Sequence, residues 1–504
     1  MFNRNQFHRE LIDLYYELYD SKSLDKLRKH RHMILNGILN QEIFKSKKSA
    51  LLFYINNYLN ADFTRKILLS TLTKKGIIHP IPRDLNFLLI KSNLKIDKIR
   101  CFFSFKYLLL FNVSKAIIYF CKLFLGNNYL KFNKKNIFIY GLSEKHLPKD
   151  SDAFDSSLFS SLSLNYPHKF KNKLFYCSIN TPKGYYKIIT CRTHLPYISW
   201  DKKITFFLIS FKDIIVAIRS IFNNSWEKAL LLKETIEKNW FSLAKKNHLP
   251  STYLIPDNAS IYTPMWINEV EKKGKDVIQF EYSVSNSPSP LSNKFIDLDF
   301  LSVRDFKSKA FINEYSKKNY LKLNNKVEKT YLIGNYDFET FEPFSHNENE
   351  KFILIYNYRL TLEDYFGFSY LNDYGYFNLK TNIKFLEDVI EANQSKFKIY
   401  LKQKRNFNPN NHNKDFKNFT DDLIKKGKIF EVNPKVSNLQ ISKFAAGIIS
   451  IPLTSTVFLG NKNNSIYYDP TGGISKKDPF LYDRKLYNST KELSKWIKKL
   501  NAHD

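Results

Sequence analysis

At 504 residues the chain is too long to close around one small core, and two or three domains are expected. Apolar residues make up 43% and aromatic residues 16%, which excludes a disordered chain and leaves ample surface to bury. The formal charge of +31 rests on 66 Lys and only 13 Arg, dispersed among Asn, Ile, Phe and Tyr. It reads as lysine written at solvated positions, with a general attraction to anionic surfaces and no nucleic-acid-recognition motif.

In chain order, residues 1 to about 130 carry helical periodicity and few strand-like runs. The opening "HRELIDLYYELYD" spaces its apolar residues as a helix does, and no apolar h-region accompanies it, so a secretory signal is not expected. Cys101, Cys121, Cys177 and Cys191 show neither CxxC spacing nor framework density, which favours a reducing, cytoplasmic compartment. The most apolar stretch, "CFFSFKYLLLFNVSKAIIYFCKLFLG" at 101–126, has the length of a membrane span, yet Lys106, Lys115 and Lys122 interrupt it. Three placements stay open for it: a buried helix pair, an interfacial helix peripheral on the inner membrane with its lysines at headgroups, or a span.

From "NIFIYGL" at 136–142 the pattern turns to short β-rich runs alternating with helices. "YYKIITCRT" and "KKITFFLIS" are strands by composition, and "WEKALLLKETIEKNWFSLAKKN" at 226–247 is one long amphipathic helix. The strand and loop "STYLIPDNAS", the helix "YTPMWINEVEKKG" with Gly274 at its end and the strand "DVIQFEYS" have the spacing of a parallel crossover. A Ser/Pro/Asn-rich linker covers 284–293. A second series begins near 329 with "TYLIGNY", "FILIYNY", "FKIYLKQK", "KIFEVNP", "AGIISIP" and "SIYYDP" as strands. Between them "TNIKFLEDVIEAN" is a helix with Ile383, Leu386, Val389 and Ile390 on one face. The last helix, "STKELSKWIKKL", opens with a Ser489–Glu492 capping box and turns Leu493, Trp496, Ile497 and Leu500 inward. The expected fold class is α/β: two Rossmann-like domains, 133–325 and 326–504, behind a helical region at 1–132.

Ligands of open parallel sheets bind beyond the carboxyl ends of the strands, so those positions are the candidates for chemistry. After "FKIY" come Lys402, Lys404 and Arg405, cations suited to phosphate. After "AGIISIP" come Thr454, Ser455 and Thr456, which can cap a helix or, with its free N–H groups, hold a diphosphate. After "SIYY" comes Asp469, placed to accept from sugar hydroxyls or to close an ordinary turn, with Thr471 and the Gly472–Gly473 pair allowing close backbone approach. In the first series Asp257 and Asn258 follow the "TYLIP" strand; Asp257 is a candidate general base or a helix cap, and Glu269 in the next helix is the fallback. The Asp297–Leu298–Asp299 triplet follows a linker rather than a clear strand and is not expected to hold a metal. The histidines lack zinc spacing, and there is no GxGxxG, Walker loop or GxSxG elbow.

The segments "YTPMWINEVEKKGKDVIQFEYSVSN", "LKQKR", "ISIPLTSTVFL", "SIYYDPTG" and "ELSKWI" resemble bacterial surface-polysaccharide biosynthesis proteins regarded as GT-B-type glycosyltransferases. The resemblance covers roughly 137–500 and is densest in the last hundred residues or so. It implies a donor nucleotide in the C-terminal domain, near Lys402, Lys404, Arg405, Thr454 to Thr456 and Asp469, with no metal or other cofactor. It also implies a glycan or polyprenyl-linked acceptor facing the first domain. Here Gly460 and "NKNN" end the segment after Thr456 earlier than the family pattern does. The basic strand end beside a Ser/Thr cluster is further reminiscent of enzymes that use CMP-activated acidic sugars. Three other readings stand beside this one: a nucleic-acid-binding protein, a nucleotide-sugar epimerase, and a non-catalytic scaffold of glycan assembly.

Overall fold

The computed structural model describes, apart from short gaps, residues 76–82, 95–126, 129–257, 264–281, 306–336, 350–357, 379–403, 412–476 and 481–500. Ala50, Phe53, Tyr54, Tyr58, Phe344 and Phe407 are described individually. The opening helix, the 284–293 linker, the Asp297–Asp299 triplet, Lys404 and Arg405 all lie outside these residues.

The first sheet contains seven parallel strands: β1 (Asn136–Ile139), β2 (Leu174–Ser178), β3 (Ile188–Cys191), β4 (Thr252–Asp257), β5 (Asp276–Glu281), β6 (Ser308–Phe311) and β7 (Lys329–Leu332). Their order is 3-2-1-4-5-6-7. The second contains β8 (Phe352–Asn357), β9 (Lys398–Gln403), β10 (Phe430–Val432), β11 (Gly447–Ser450), β12 (Ser465–Tyr468) and β13 (Lys485–Tyr487) in the order 10-9-8-11-12-13. Counted from its own first strand, that is the doubly wound 3-2-1-4-5-6 order, whose direction reverses between β8 and β11. The expected α/β class with two Rossmann-like sheets is what the chain forms. One strand moves between the sheets: β7 pairs with β6, so the "TYLIGNY" strand closes the first sheet and does not open the second series.

Strands such as β1, β8, β11 and β12 are buried at every position, because parallel sheets carry helices on both faces. In β8 the period of two sends Ile353 and Ile355 to one core, where Phe385, Leu386, Trp496 and Ile497 also pack. Phe352, Leu354 and Tyr356 go to the other, with Ile441. The close fit on the first side is set at Gly447. A Cβ there would lie 2.5 Å from Leu500 Cδ1 and 2.9 Å from Trp496 Cη2 of the C-terminal helix Thr490–Leu500.

On the first sheet, Phe138, Tyr253 and Val277 meet a helical layer. That layer comprises α1 (Lys98–Leu125), α2 (Trp200–Phe222), α3 (Trp226–Leu230), α4 (Leu232–Leu243) and α5 (Trp266–Lys272). Ile137, Ile139, Leu254 and Phe280 turn instead toward short helices at 151–170. The helical N-terminal region is thus represented by α1, a single helix in place of a buried pair; Asp97 caps it by accepting from the Arg100 N–H at 2.9 Å. The "KKITFFLIS" run is helix, not strand, and forms the first half of α2. Its buried stripe is Lys203, Phe206, Ser210, Ile214 and Ala217, at helical spacing. The long helix expected at 226–247 breaks at Leu231 into α3 and α4.

Candidate functional site

The second sheet reverses direction between β8 and β11, and β11 ends at Ser450, which is fully buried. The chain then passes Ile451 and Pro452 into a single 3-10 turn, Ser455–Leu459. Three hydroxyls meet there: Ser450 Oγ lies 3.0 Å from Thr456 Oγ1, and Thr456 Oγ1 lies 3.1 Å from Thr454 Oγ1. Thr454 donates its one proton to the Ile451 carbonyl at 2.9 Å. The chain of bonds is therefore directional, with Ser450 donating to Thr456 and Thr456 to Thr454. Tyr467 of β12 donates to the Thr454 carbonyl at 2.8 Å and fixes the loop from beside it. Ser450 and Thr454 are buried, whereas Thr456 is only half-buried and can turn its proton outward. The Thr454 side chain does not cap the turn and bonds back to the Ile451 carbonyl instead. Gly460 ends the turn because a Cβ would sit 2.8 Å from Ile448 Cδ1 and 3.0 Å from Ser465 Cβ.

The neighbouring loops are held by two of the predicted site residues. Lys402 is buried, and its ammonium donates to the Pro434 carbonyl at 3.0 Å, pinning the loop that leaves β10. Asp469 is fully buried beyond β12. Its Oδ1 accepts from the Thr471 N–H at 2.8 Å and hydroxyl at 2.6 Å, and its Oδ2 accepts from the Ile474 N–H at 3.0 Å. Each residue sits at the expected sheet edge, and its charge holds a loop in place there. Thr471 and Gly472 are exposed on that turn, and Gly472 occupies the left-handed region at φ 66°.

At the carboxyl edge of the first sheet, Asp257 ends β4 in register with Glu281 of β5. Glu281 Oε2 accepts from the Ile312 N–H at 3.0 Å and from Ser316 Oγ at 2.6 Å, joining the ends of β5 and β6. Glu269, the fallback base, is ion-paired along α5 with Lys272 at 2.9 Å. A cluster missed from sequence lies beside Tyr140, the residue after β1. Glu237 of α4 is buried, accepts from the Tyr119 hydroxyl at 2.8 Å and faces His194 Nε2 at 3.7 Å. Burial works against the Glu237 charge, yet His194, Lys233 and the Tyr119 hydroxyl outweigh it and hold its carboxyl below the usual range. Burial and the Glu237 charge push the Tyr119 hydroxyl well up. The His194 ring packs against both Trp266 and Tyr140, with centroids 5.6 and 5.5 Å away. The signals for this cluster were a Glu on the apolar face of α4 and a His just past a strand end. The segment after β7 ties the two edges together: the Tyr336 hydroxyl donates to the Glu281 carbonyl and Asn335 Nδ2 to the Phe458 carbonyl at 2.7 Å.

A family model for polysaccharide biosynthesis PFTS motif proteins matches residues 209–497, more than half of the chain. The chain belongs to this family. At the end of β11 this PFTS motif protein reads Pro452-Leu453-Thr454-Ser455, three letters of the four in the motif's name, on the loop that carries the hydroxyl chain. No curated protein matches it in sequence. Among solved structures it is similar to a trehalose-6-phosphate structure from E. coli bound with UDP-2-fluoro glucose, at 10% identity and TM-score 0.39. That match covers 73% of this chain and 92% of the other. It is also similar to a putative UDP-N-acetylglucosamine 2-epimerase from Listeria monocytogenes, at 10% identity and TM-score 0.37, covering 74% and 89%. An alpha,alpha-trehalose-phosphate synthase (UDP-forming) from Burkholderia vietnamiensis follows at 7% and 0.34, covering 73% and 91%. The fold class rests on the strand orders and not on these likenesses. Among the described residues, no group of three or more His, Cys, Asp or Glu side chains is placed to hold a metal ion.

Proposed function

We propose that this PFTS motif protein is a cytoplasmic glycosyltransferase of bacterial surface-polysaccharide assembly, of the capsule or O-antigen kind. It would move a sugar from a nucleotide-activated donor to a glycan or polyprenyl-linked acceptor. The observation that carries the reading is the Ser450–Thr456–Thr454 hydroxyl chain, at the point where the second sheet reverses and on the loop that reads Pro452-Leu453-Thr454-Ser455. Ligands of doubly wound sheets bind at that place.

In this reading Thr456 turns its proton from Thr454 to a donor phosphate oxygen, and Lys404 and Arg405, which follow β9, supply positive charge. Thr471 and Gly472 offer an open turn to the sugar or ribose. The acceptor oxygen attacks the anomeric carbon, the bond from that carbon to the phosphate oxygen breaks, and the nucleotide leaves with the bonding pair. The hydroxyl proton passes to a first-domain carboxylate. Asp257, at the carboxyl end of β4, is the candidate, and no metal takes part. CMP-activated acidic sugars are included among the donors.

Product analysis tests this. The full-length protein is incubated with CMP-, UDP-, GDP- and dTDP-sugars, with and without glycan acceptors, and products are read by mass spectrometry. Acceptor-dependent nucleotide release with a glycosylated product is expected. Sugar isomerisation without acceptor would replace the reading with an epimerase, and inertness toward every donor would contradict it.

A further inference from the structure

The helical layer over the first sheet has an outer surface of unusual character. In α1 the buried stripe is Cys101, Phe105, Leu109, Val113, Ala116 and Phe120, continuing the core. Its opposite face is apolar as well: Phe103, Tyr107, Leu110, Ile118 and Leu125 follow at helical spacing, and all are exposed, Tyr107 at 70%. In α2 the same happens over the full helix. Trp200, Ile204, Leu208, Phe211, Ile215, Ile218 and Phe222 recur at steps of three or four and stand exposed, Phe222 at 79%.

The two helices lie antiparallel. Lys106 near the start of α1 donates to the Ile221 carbonyl at the end of α2, while Phe124 near the end of α1 stacks on Trp200 at the start of α2, with centroids 6.2 Å apart. The stripes therefore form a two-helix apolar platform on the order of 35 Å long. Isolated exposed apolar residues are ordinary on a soluble protein, whereas a contiguous sheet of them marks a contact surface.

Charge identifies what the platform meets. α1 contains Lys98, Arg100, Lys106, Lys115 and Lys122 and no carboxylate. α2 adds Lys202, Lys203, Lys212 and Arg219 against Asp201 and Asp213. Of these, Lys98, Arg100, Lys115, Lys122, Lys212 and Arg219 are exposed. An apolar face bordered by cations and rich in Trp, Tyr and Phe is matched to the headgroup boundary of an anionic bilayer. By length and composition α1 alone could cross a membrane. Its inner stripe, however, is locked into the fold, with Phe105 packed edge-on to Trp226 at 5.6 Å and Phe120 against Phe206 at 5.6 Å. A span would break those contacts and part α1 from α2.

We propose that α1 and α2 together dock the protein flat on an anionic lipid surface. The platform lies apart from the donor edge, so this stands independently of the sugar-transfer reading. The test is flotation of the full-length protein with phosphatidylcholine vesicles and with vesicles that also contain phosphatidylglycerol, at low and high salt. Alongside runs a variant carrying Tyr107→Ser, Leu110→Ser, Leu208→Ser and Phe211→Ser, which leaves the charge untouched. Wild type is expected to float with the phosphatidylglycerol vesicles and the variant to lose about tenfold or more of that partitioning. Equal flotation of both would mean that the +31 charge alone attracts the chain, and would overturn the platform. So would failure of wild type to float, or a stable dimer in sedimentation that the variant dissociates. Should the variant melt abnormally, quenching by brominated lipids of wild type against Trp200→Phe decides. The quenchable component is expected to fall in Trp200→Phe, and equal quenching in both proteins would overturn the proposal.

Discussion

Replacing Asp469 by Ala separates a loop-building carboxylate from a ligand-binding one. In the folded protein Asp469 is fully buried and accepts three hydrogen bonds, at 2.8, 2.6 and 3.0 Å. Thr471 is exposed, so its N–H and hydroxyl can turn to water when the carboxylate is lost, and each bond lost there costs about 0.5–1.5 kcal/mol net. Ile474 is buried, and leaving its N–H without an acceptor costs a further 1–3 kcal/mol or so. The sum is about 2–6 kcal/mol. For a unit the size of the second domain, each kcal/mol lowers the melting temperature by roughly 2–4 °C, so a fall of roughly 4–24 °C is expected. Asp469→Asn should fall about half as far, because its amide oxygen can still serve Thr471 while its NH2 cannot accept from Ile474. Thermal unfolding followed by circular dichroism reads both. A melt unchanged within about a degree, combined with lost nucleotide binding, would refute this reasoning and return Asp469 to the ligand.

Glu237 titrates below its unfolded value, so the stability it adds is present above about pH 4.3 and is lost as pH falls through the lower folded value. Glu237→Gln should therefore cost about 2 kcal/mol in urea unfolding at pH 7, and the difference from wild type should shrink as pH falls through the lowered folded value. Gly447→Ala forces a methyl to within 2.5 Å of Leu500 and 2.9 Å of Trp496, and should cost about 1–3 kcal/mol in the same assay. Lys402→Met strips a donor from the Pro434 carbonyl and should cost about 1–2 kcal/mol while leaving nucleotide affinity unchanged, measured by calorimetry.

Elements with one apolar face were readable from sequence. The final helix was expected to turn Leu493, Trp496 and Ile497 inward, and it does. Its cap differs by one position, since Glu492 Oε2 accepts from the Asn488 N–H at 3.1 Å while Ser489 Oγ accepts from the Glu492 N–H at 3.3 Å. The uninterrupted apolar runs of β8, β11 and β12 likewise announced buried parallel strands. α2 was hidden because its pattern is inverted: a Lys and a Ser lie among the buried positions while Trp200, Ile204 and Leu208 face outward. With both faces apolar, β-rich composition outweighed the helical period. At the candidate site, the edge was readable from the alternation of strands and polar turns. What each side chain does there was not, because local bonds made only in the folded loop decide whether Asp469 and Lys402 are free. The Glu237–His194 pair escaped because contact across α4 and the end of β3 exists only after folding.

The measurement that bears most directly on the donor site is isothermal titration of CMP, UDP, GDP and dTDP nucleotides into wild type and Thr456→Val. The valine variant keeps the size of the side chain and removes the hydroxyl of the half-buried member of the Ser450–Thr456–Thr454 chain. The account predicts that wild type binds at least one of these nucleotides and that Thr456→Val weakens it by about tenfold, the worth of one charge-assisted hydrogen bond. Equal affinity in the two proteins, or no binding by wild type to any of the four, would contradict it.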